Sequence, residues 1–311
     1  KLFFTLFAFS FGGSSGLGKD QITKGRKGEV RYFLDTIQVK ATRATSNACP
    51  DAKIYERAST LIDHGQGRSY VVDVFWVEGG TTQDYVYHGP NHEWELLNIT
   101  HPSSTTEARN SHGTRETTKS WFAQATPEPL PSAPPVKFQP GPEALYDLTE
   151  IQTLDSPAPA MHALRWKLSD DRTFTVWHIP VGNEQIFVGK GWGQRDYRNS
   201  DRGVKLPYIV RRTQGEGRKT FVSVMEEHPE GQPFIQKITP LTAESGESVV
   251  LQIDTPVGRD YVVLNREPRE TVLSTPDGRL ETNAHLAVLS TQEGKVAFHA
   301  VDSGKVRLTP K

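Results

Sequence analysis

The chain has 311 residues, with 36 lysines and arginines against 37 aspartates and glutamates, for a formal net charge of −1. That length allows a large core or two packed units, and the balanced charge removes the global basic field that nucleic-acid binding draws on. The single cysteine, Cys49, excludes an intrachain disulfide and a Cys-x-x-Cys metal site, so burial of apolar surface must supply the stability.

Residues 2–11 (LFFTLFAFSF) form an apolar run between Lys1 and the turn-forming Gly12-Gly13-Ser14-Ser15-Gly16. The run is far short of the ~20 residues that a membrane-spanning helix needs, so no membrane span is expected. Two readings stand: the h-region of a secretory signal, without a clean cleavage site, or a core strand of a larger protein. The first would place the protein in the periplasm or outside the cell.

From about residue 29 onward, short stretches alternate apolar and polar side chains between turn signals. They predict strands over 29–34, 54–62, 70–77, 85–88 and 93–97. After a gap come 162–168, 173–179, 185–188, 208–212, 220–225 and 234–238. The last group is 248–253, 260–264, 271–273, 285–289, 296–300 and 306–308. No amphipathic helical stretch exceeds about three turns, so the expectation is an all-β, antiparallel, supersandwich-like fold of two packed units. Between residues 127 and 142 (PEPLPSAPPVKFQPGP) stand seven prolines, which remove backbone donors and forbid an interior strand. This stretch predicts a connector over 126–142. It separates a first β-unit over 25–125 from a second over 143–311, with 1–24 as an apolar N-terminal segment. A weaker boundary falls near 241–247.

Within 55–90 the sequence reads YERASTLIDHGQGRSYVVDVFWVEGGTTQDYVYHGP. Arg57 sits on a first strand, and Asp73 interrupts an otherwise apolar second strand that Gly79-Gly80 close. Tyr85 and His88 lie on a third. A carboxylate inside an apolar strand requires a partner, and Arg57 on the neighbouring strand is the natural one, so the pair is read as structural. Asp84, His88 and His92 are four apart, a spacing that suits metal binding on a helix, but Gly89-Pro90 forbid a helix there. Further on, Trp192, Arg195, Tyr197, Arg198 and Arg202 cluster in a polar loop. Aromatic faces stack on sugars and arginines grip carboxylates, so Trp192, Arg195, Tyr197 and Arg198 are the candidate substrate-binding residues for an acidic saccharide. The opposing reading of that loop is a solvated cap on a sandwich edge. Asn98-Ile99-Thr100 matches a glycosylation sequon, a three-residue pattern that arises often by chance.

The Tyr-x-Arg element, the strand Tyr-Val-Val-Asp closed by Gly-Gly, and the aromatic strand ending in His-Gly resemble the C-terminal β-sandwich region of heparinase II/III-like polysaccharide lyases. The run 189–212 and the segment Phe221-Val222-Ser223-Val224-Met225-Glu226 are similar to later strands of that region. The resemblance covers roughly 25–240. It implies an α/α toroid followed by β-sandwich layers, and cleavage of uronate polymers by β-elimination, with a Tyr or His base. It also implies an acidic polysaccharide as partner. In such enzymes the toroid carries most of the catalytic groups, and a structural zinc is bound upstream by a His–Asp–His element. Neither element has a counterpart here, so no catalytic residue is assigned, no cofactor is expected in this chain, and the toroid is expected as a partner domain. The alternative reading is a stand-alone secreted carbohydrate-binding or structural β-sandwich protein.

Overall fold

The computed structural model describes residues 28–47, 49, 52–98, 107–109, 148–154, 161–169, 171–182, 184–192, 205–244 and 248–310. Every paired strand among them is antiparallel, no helix occurs, and the strands form four sheets.

The largest sheet has nine strands. In chain order they are β1 (Gly28–Asp35), β2 (Val39–Ser46), β3 (Ile54–Asp63), β4 (Ser69–Glu78), β6 (Trp94–Asn98), β7 (Glu107–Arg109), β9 (His162–Ser169), β10 (Arg172–Ile179) and β13 (Lys219–Pro229). Their spatial order is β1-β2-β3-β4-β13-β10-β9-β6-β7. A four-stranded sheet holds β5 (Thr82–His88), β8 (Thr149–Leu154), β11 (Gln185–Trp192) and β12 (Lys205–Gln214), in the order β5-β12-β11-β8. A five-stranded sheet follows with β14 (Lys237–Leu241), β15 (Val249–Thr255), β16 (Gly258–Leu264), β19 (Leu286–Gln292) and β20 (Lys295–Val301). Three short strands, β17 (Thr271–Thr275), β18 (Gly278–Thr282) and β21 (Val306–Thr309), make the last sheet.

Side-chain alternation explains how the sheets stack. On β4, Tyr70, Val72, Val74 and Trp76 point to one face and pack with Leu251, Ile253, Val262, Leu264, Leu286 and Val288 of the five-stranded sheet. The intervening Phe75 and Val77 point the other way and pack with Tyr85, Tyr87, Ile186, Val188 and Ile209 of the four-stranded sheet. The nine-stranded sheet is therefore a middle layer, and β4 is apolar almost throughout because both of its faces are covered. The outer face of the five-stranded sheet, through Val250, Tyr261, Val263 and Leu289, packs with Leu273 and Leu280 of the three-stranded sheet. The result is four layers, of four, nine, five and three strands.

Three glycines of the 55–90 segment have positions that need them. Gly79 and Gly80, at φ 132° and 64°, turn the chain out of β4 so that β5 joins a different layer. At Gly89 an added Cβ would lie 2.3 Å from the Trp166 indole nitrogen, so the His-Gly step lets the chain pass against a core tryptophan.

Strands on the two sides of residues 126–142 are direct neighbours. β4 pairs with β13, β5 with β12, and β6 with β9. The sheets thus do not divide at the proline-rich stretch, which itself lies outside the described residues. The change of layer comes between β13 and β14, closer to the weaker boundary. The chain's strands interleave because antiparallel pairing is decided by which faces bury best, not by closeness in sequence.

Candidate functional site

The two faces of the nine-stranded sheet carry different polar chemistry, one sealed and one open. On the sealed face, toward the four-stranded sheet, a polar row crosses five strands. Ser59 is opposite Asp73, Asp73 opposite Ser223, Ser223 opposite His178, and His178 opposite His162. Asp73 is the centre. Its Oδ1 accepts from Arg57 Nε at 2.8 Å and from Ser59 Oγ at 2.6 Å, and its Oδ2 accepts from Tyr85 OH at 2.8 Å. Burial works against the Arg57 charge, but the Asp73 carboxylate beside it more than offsets this, so its pKa lies above the ordinary value. The structure brings the two residues of the expected pair together, and adds a tyrosine from the opposing layer, which no local pattern pairs with Asp73.

The same seam continues into residues that were not singled out. Arg211 of β12 reaches across the layers to Ser223 Oγ at 3.3 Å, Val222 O at 3.1 Å and Ile179 O at 2.7 Å, and it pairs with Glu184 at 2.9 Å. Tyr87 OH meets His178 Nε2 at 2.7 Å, and His178 Nδ1 meets His162 Nε2 at 2.8 Å. Burial holds the Tyr87 phenol protonated, well above its usual pKa, and burial with Arg211 and His162 keeps His178 neutral. Either Tyr87 O–H donates to His178 Nε2 and His178 Nδ1–H to His162 Nε2, or the chain runs the other way, from His162 Nε2–H to His178 Nδ1 and from His178 Nε2–H to the Tyr87 oxygen. Tyr87, His178 and His162 are 3%, 0% and 1% exposed, so this Tyr–His pair cannot meet a polymer. Its role is to satisfy buried polar atoms between two sheets.

The other candidate residues fall apart in space. Asp84 is engaged bidentately by Arg212, at 2.7 Å to each carboxylate oxygen. His88 Nδ1 lies 3.4 Å from the Gly89 carbonyl, and His92 Nε2 donates to Lys205 O at 2.9 Å. These three do not converge on one point. Trp192 closes β11, opposite Lys205 at the start of β12. Arg195, Tyr197, Arg198 and Arg202 lie outside the described residues, as do the proline-rich stretch, the apolar N-terminal run and most of the sequon.

On the open face, toward the five-stranded sheet, two polar rows cross four strands beyond the edge of the apolar core. The inner row is Glu95, Arg165, Thr175 and Glu226, and the outer row runs from Glu93 through Lys167 and Thr173 to His228. One step further inward the same strands present Leu97, Ala163, Trp177 and Val224, which belong to the core. The face therefore grades from apolar to polar. Its polar end forms a groove of about 560 Å³ that Glu230, Gly231 and Pro233 border.

Arg165 Nη1 donates to Glu95 Oε1 at 3.1 Å, while its Nε is buried with no hydrogen-bond partner. His228 donates from Nδ1 to Pro229 O at 2.7 Å and accepts at Nε2 from Thr175 Oγ1 at 3.2 Å. Burial lowers its pKa, so the imidazole is neutral with both nitrogens in use. Glu226 is buried at the groove's inner end, where its carboxylate accepts from the Phe234 amide and from the Ile235 amide at 3.1 Å. Burial outweighs those two bonds and pushes its pKa up to about 7.

These features define an all-β, antiparallel layered sandwich with one sealed polar seam and one open polar groove. No known protein family and no curated protein matches the chain. Among solved structures it is similar to the heparan sulfate lyase HepC from Pedobacter heparinus, with a TM-score of 0.43 and 10% identity over 76% of this chain and 28% of that one. A mutant of the same enzyme gives a TM-score of 0.42 and 11% identity, again over 76% of this chain and 28% of that one. The chain thus spans well under a third of the length of these neighbours, and a likeness this loose assigns neither site nor activity.

Proposed function

We propose that the chain is the β-sandwich portion of a polysaccharide lyase of the heparinase II/III-like kind. It would act on a uronate-containing polymer and line one wall of the substrate cleft. One observation carries the reading. The residues that make 55–90 resemble that family, Arg57, Asp73, Tyr85 and the Gly79-Gly80 turn, are also those that join β3, β4 and β5 into one interlayer unit around a single buried carboxylate. The motif and the joint are one object, which supports the reading.

In β-elimination a base takes the C5 proton of the uronate, a cationic or hydrogen-bonding group holds the carboxylate as charge moves onto it, and the C4–O bond breaks to leave a C4–C5 double bond. The Tyr–His pair of the seam is sealed between layers, so the base is expected from another part of the enzyme, the toroid of such lyases. Trp192, Arg195, Tyr197 and Arg198 remain the proposed contacts with the acidic sugar. Periplasmic or extracellular location belongs to the same proposal. Among the described residues no three His, Cys, Asp or Glu side chains gather as metal ligands.

Two measurements test this. The 311-residue chain, mixed with heparan-type polymer or alginate with or without zinc, is expected to give no ultraviolet absorbance from unsaturated uronate. In native gels containing the same polymers it is expected to be retarded at low ionic strength and released as salt screens the arginines. Turnover by the chain alone would overturn the division of labour and direct attention to Tyr197 and His88. Unretarded migration at low salt would overturn the acidic-polymer reading.

A further inference from the structure

The open groove is not explained by a polyanionic ligand. Three carboxylates, Glu93, Glu95 and Glu230, line it against two cations, Arg165 and Lys167, and Arg165 is already paired with Glu95. A sulfated or uronate chain would meet net negative charge there. A purely cationic ligand fits no better, because it brings only donors and would face the like charges of Arg165 and Lys167 in the lining. A hydroxyl both donates and accepts, so a row of hydroxyls satisfies carboxylates and N–H groups in alternation.

The layout matches such a ligand. Glu93, Lys167, Thr173 and His228 stand on four adjacent strands, and neighbouring strands are about 4.8 Å apart, so the row runs for about 14 Å, the length of a short oligosaccharide. Two of its side chains are held in advance, Arg165 by Glu95 and His228 by Thr175 and the Pro229 carbonyl, and Asn91 holds the Lys167 backbone at 2.6 Å. Those two side chains lose little freedom on binding. We infer that this groove, on the five-stranded-sheet side of the central layer, binds an uncharged, hydroxyl-rich glycan segment. The inference does not depend on elimination chemistry and holds equally for a non-catalytic carbohydrate-binding protein.

The test is calorimetric titration of the whole 311-residue chain with neutral hexasaccharides of glucose, mannose, xylose and N-acetylglucosamine, and with a hexauronate for contrast. At least one neutral hexasaccharide is expected to bind, with an affinity unchanged by added salt. The double variant Glu93→Gln/Thr173→Val is expected to weaken that binding at least tenfold, while Lys190→Ala, on the four-stranded sheet, leaves it unchanged. Thr173→Val is nearly isosteric, and an unaltered melting temperature will show that the double variant is folded. Should it melt early, the exposed Glu230→Gln replaces it, with a loss of binding again expected. Failure of every neutral hexasaccharide to bind overturns the inference, as does binding that the groove variants leave intact. Salt-sensitive binding of the hexauronate alone also overturns it, while supporting the acidic-polymer reading. Neutral binding with no retention on acidic polymers would uphold the groove and sink the lyase reading.

Discussion

The two faces of the central sheet bury carboxylates to a similar depth and treat them differently. Asp73 and Glu226 are each 1% exposed. Asp73 faces the four-stranded sheet and has a guanidinium and two hydroxyls. Glu226 faces the five-stranded sheet and has two backbone amides but no cation. The difference teaches that burial alone does not set the charge of an acid. The partner does: one face holds an ion pair, the other an acid that keeps its proton to near neutrality.

Removing the partner from the first face should have the largest effect. Asp73→Ala leaves Arg57 charged and buried, and is expected to cost about 3–5 kcal/mol in urea unfolding. Replacing both Arg57 and Asp73 by apolar residues should cost less than the single change. Strictly additive losses would show that the two do not interact.

The second face should reveal itself through pH. Glu226 has a folded pKa of about 7 against an ordinary 4.5, so the folded state holds the proton more tightly. Its contribution to stability is full below pH 4.5 and is lost as pH rises through 7, by up to about 3 kcal/mol. Glu226→Gln should flatten that part of the stability profile. A wild-type profile that rises through this window, with the same slope in the variant, would contradict the assignment. Asp73→Ala should leave the Glu226 slope in place, since it alters the opposite face.

A smaller loss is expected where the seam is neutral. Tyr87→Phe removes the partner of His178 Nε2 and should cost about 1–3 kcal/mol, the range for a buried polar atom left unsatisfied. A loss within error would mean that His178 finds another partner. Smallest of all is the groove: Glu95→Gln breaks a half-exposed pair with Arg165 and should change stability by under about 1 kcal/mol. If it proves as costly as Asp73→Ala, the groove is part of the core and the contrast between the faces fails.

Much of this was legible in the sequence where the signal is local. Strand β4 announced itself by its apolar run, and the lone Asp73 within it called for a cation one strand away. Strand β2 was silent because its buried positions are Val39, Ala41 and Arg43, of which only the first reads as a core residue. Arg43 is buried through tertiary contacts, donating to Glu56 at 3.1 Å and to the Asn265 carbonyl at 3.0 Å. The short β7, β8 and β18 were equally unannounced. The groove was invisible for a different reason. Glu93, Lys167, Thr173 and His228 read as the solvated positions of separate strands until those strands are placed side by side.

Period and composition fix what each strand buries, because alternation is a property of neighbouring residues. They therefore determined the all-β class, most of the strands and the need of Asp73 for a partner. Only the tertiary structure decided that β13 lies between β4 and β10, that β5 leaves for another layer, and that strands on both sides of the proline-rich stretch share sheets. Pairing between distant strands follows from which faces fit when all layers close together, and no local pattern carries that information.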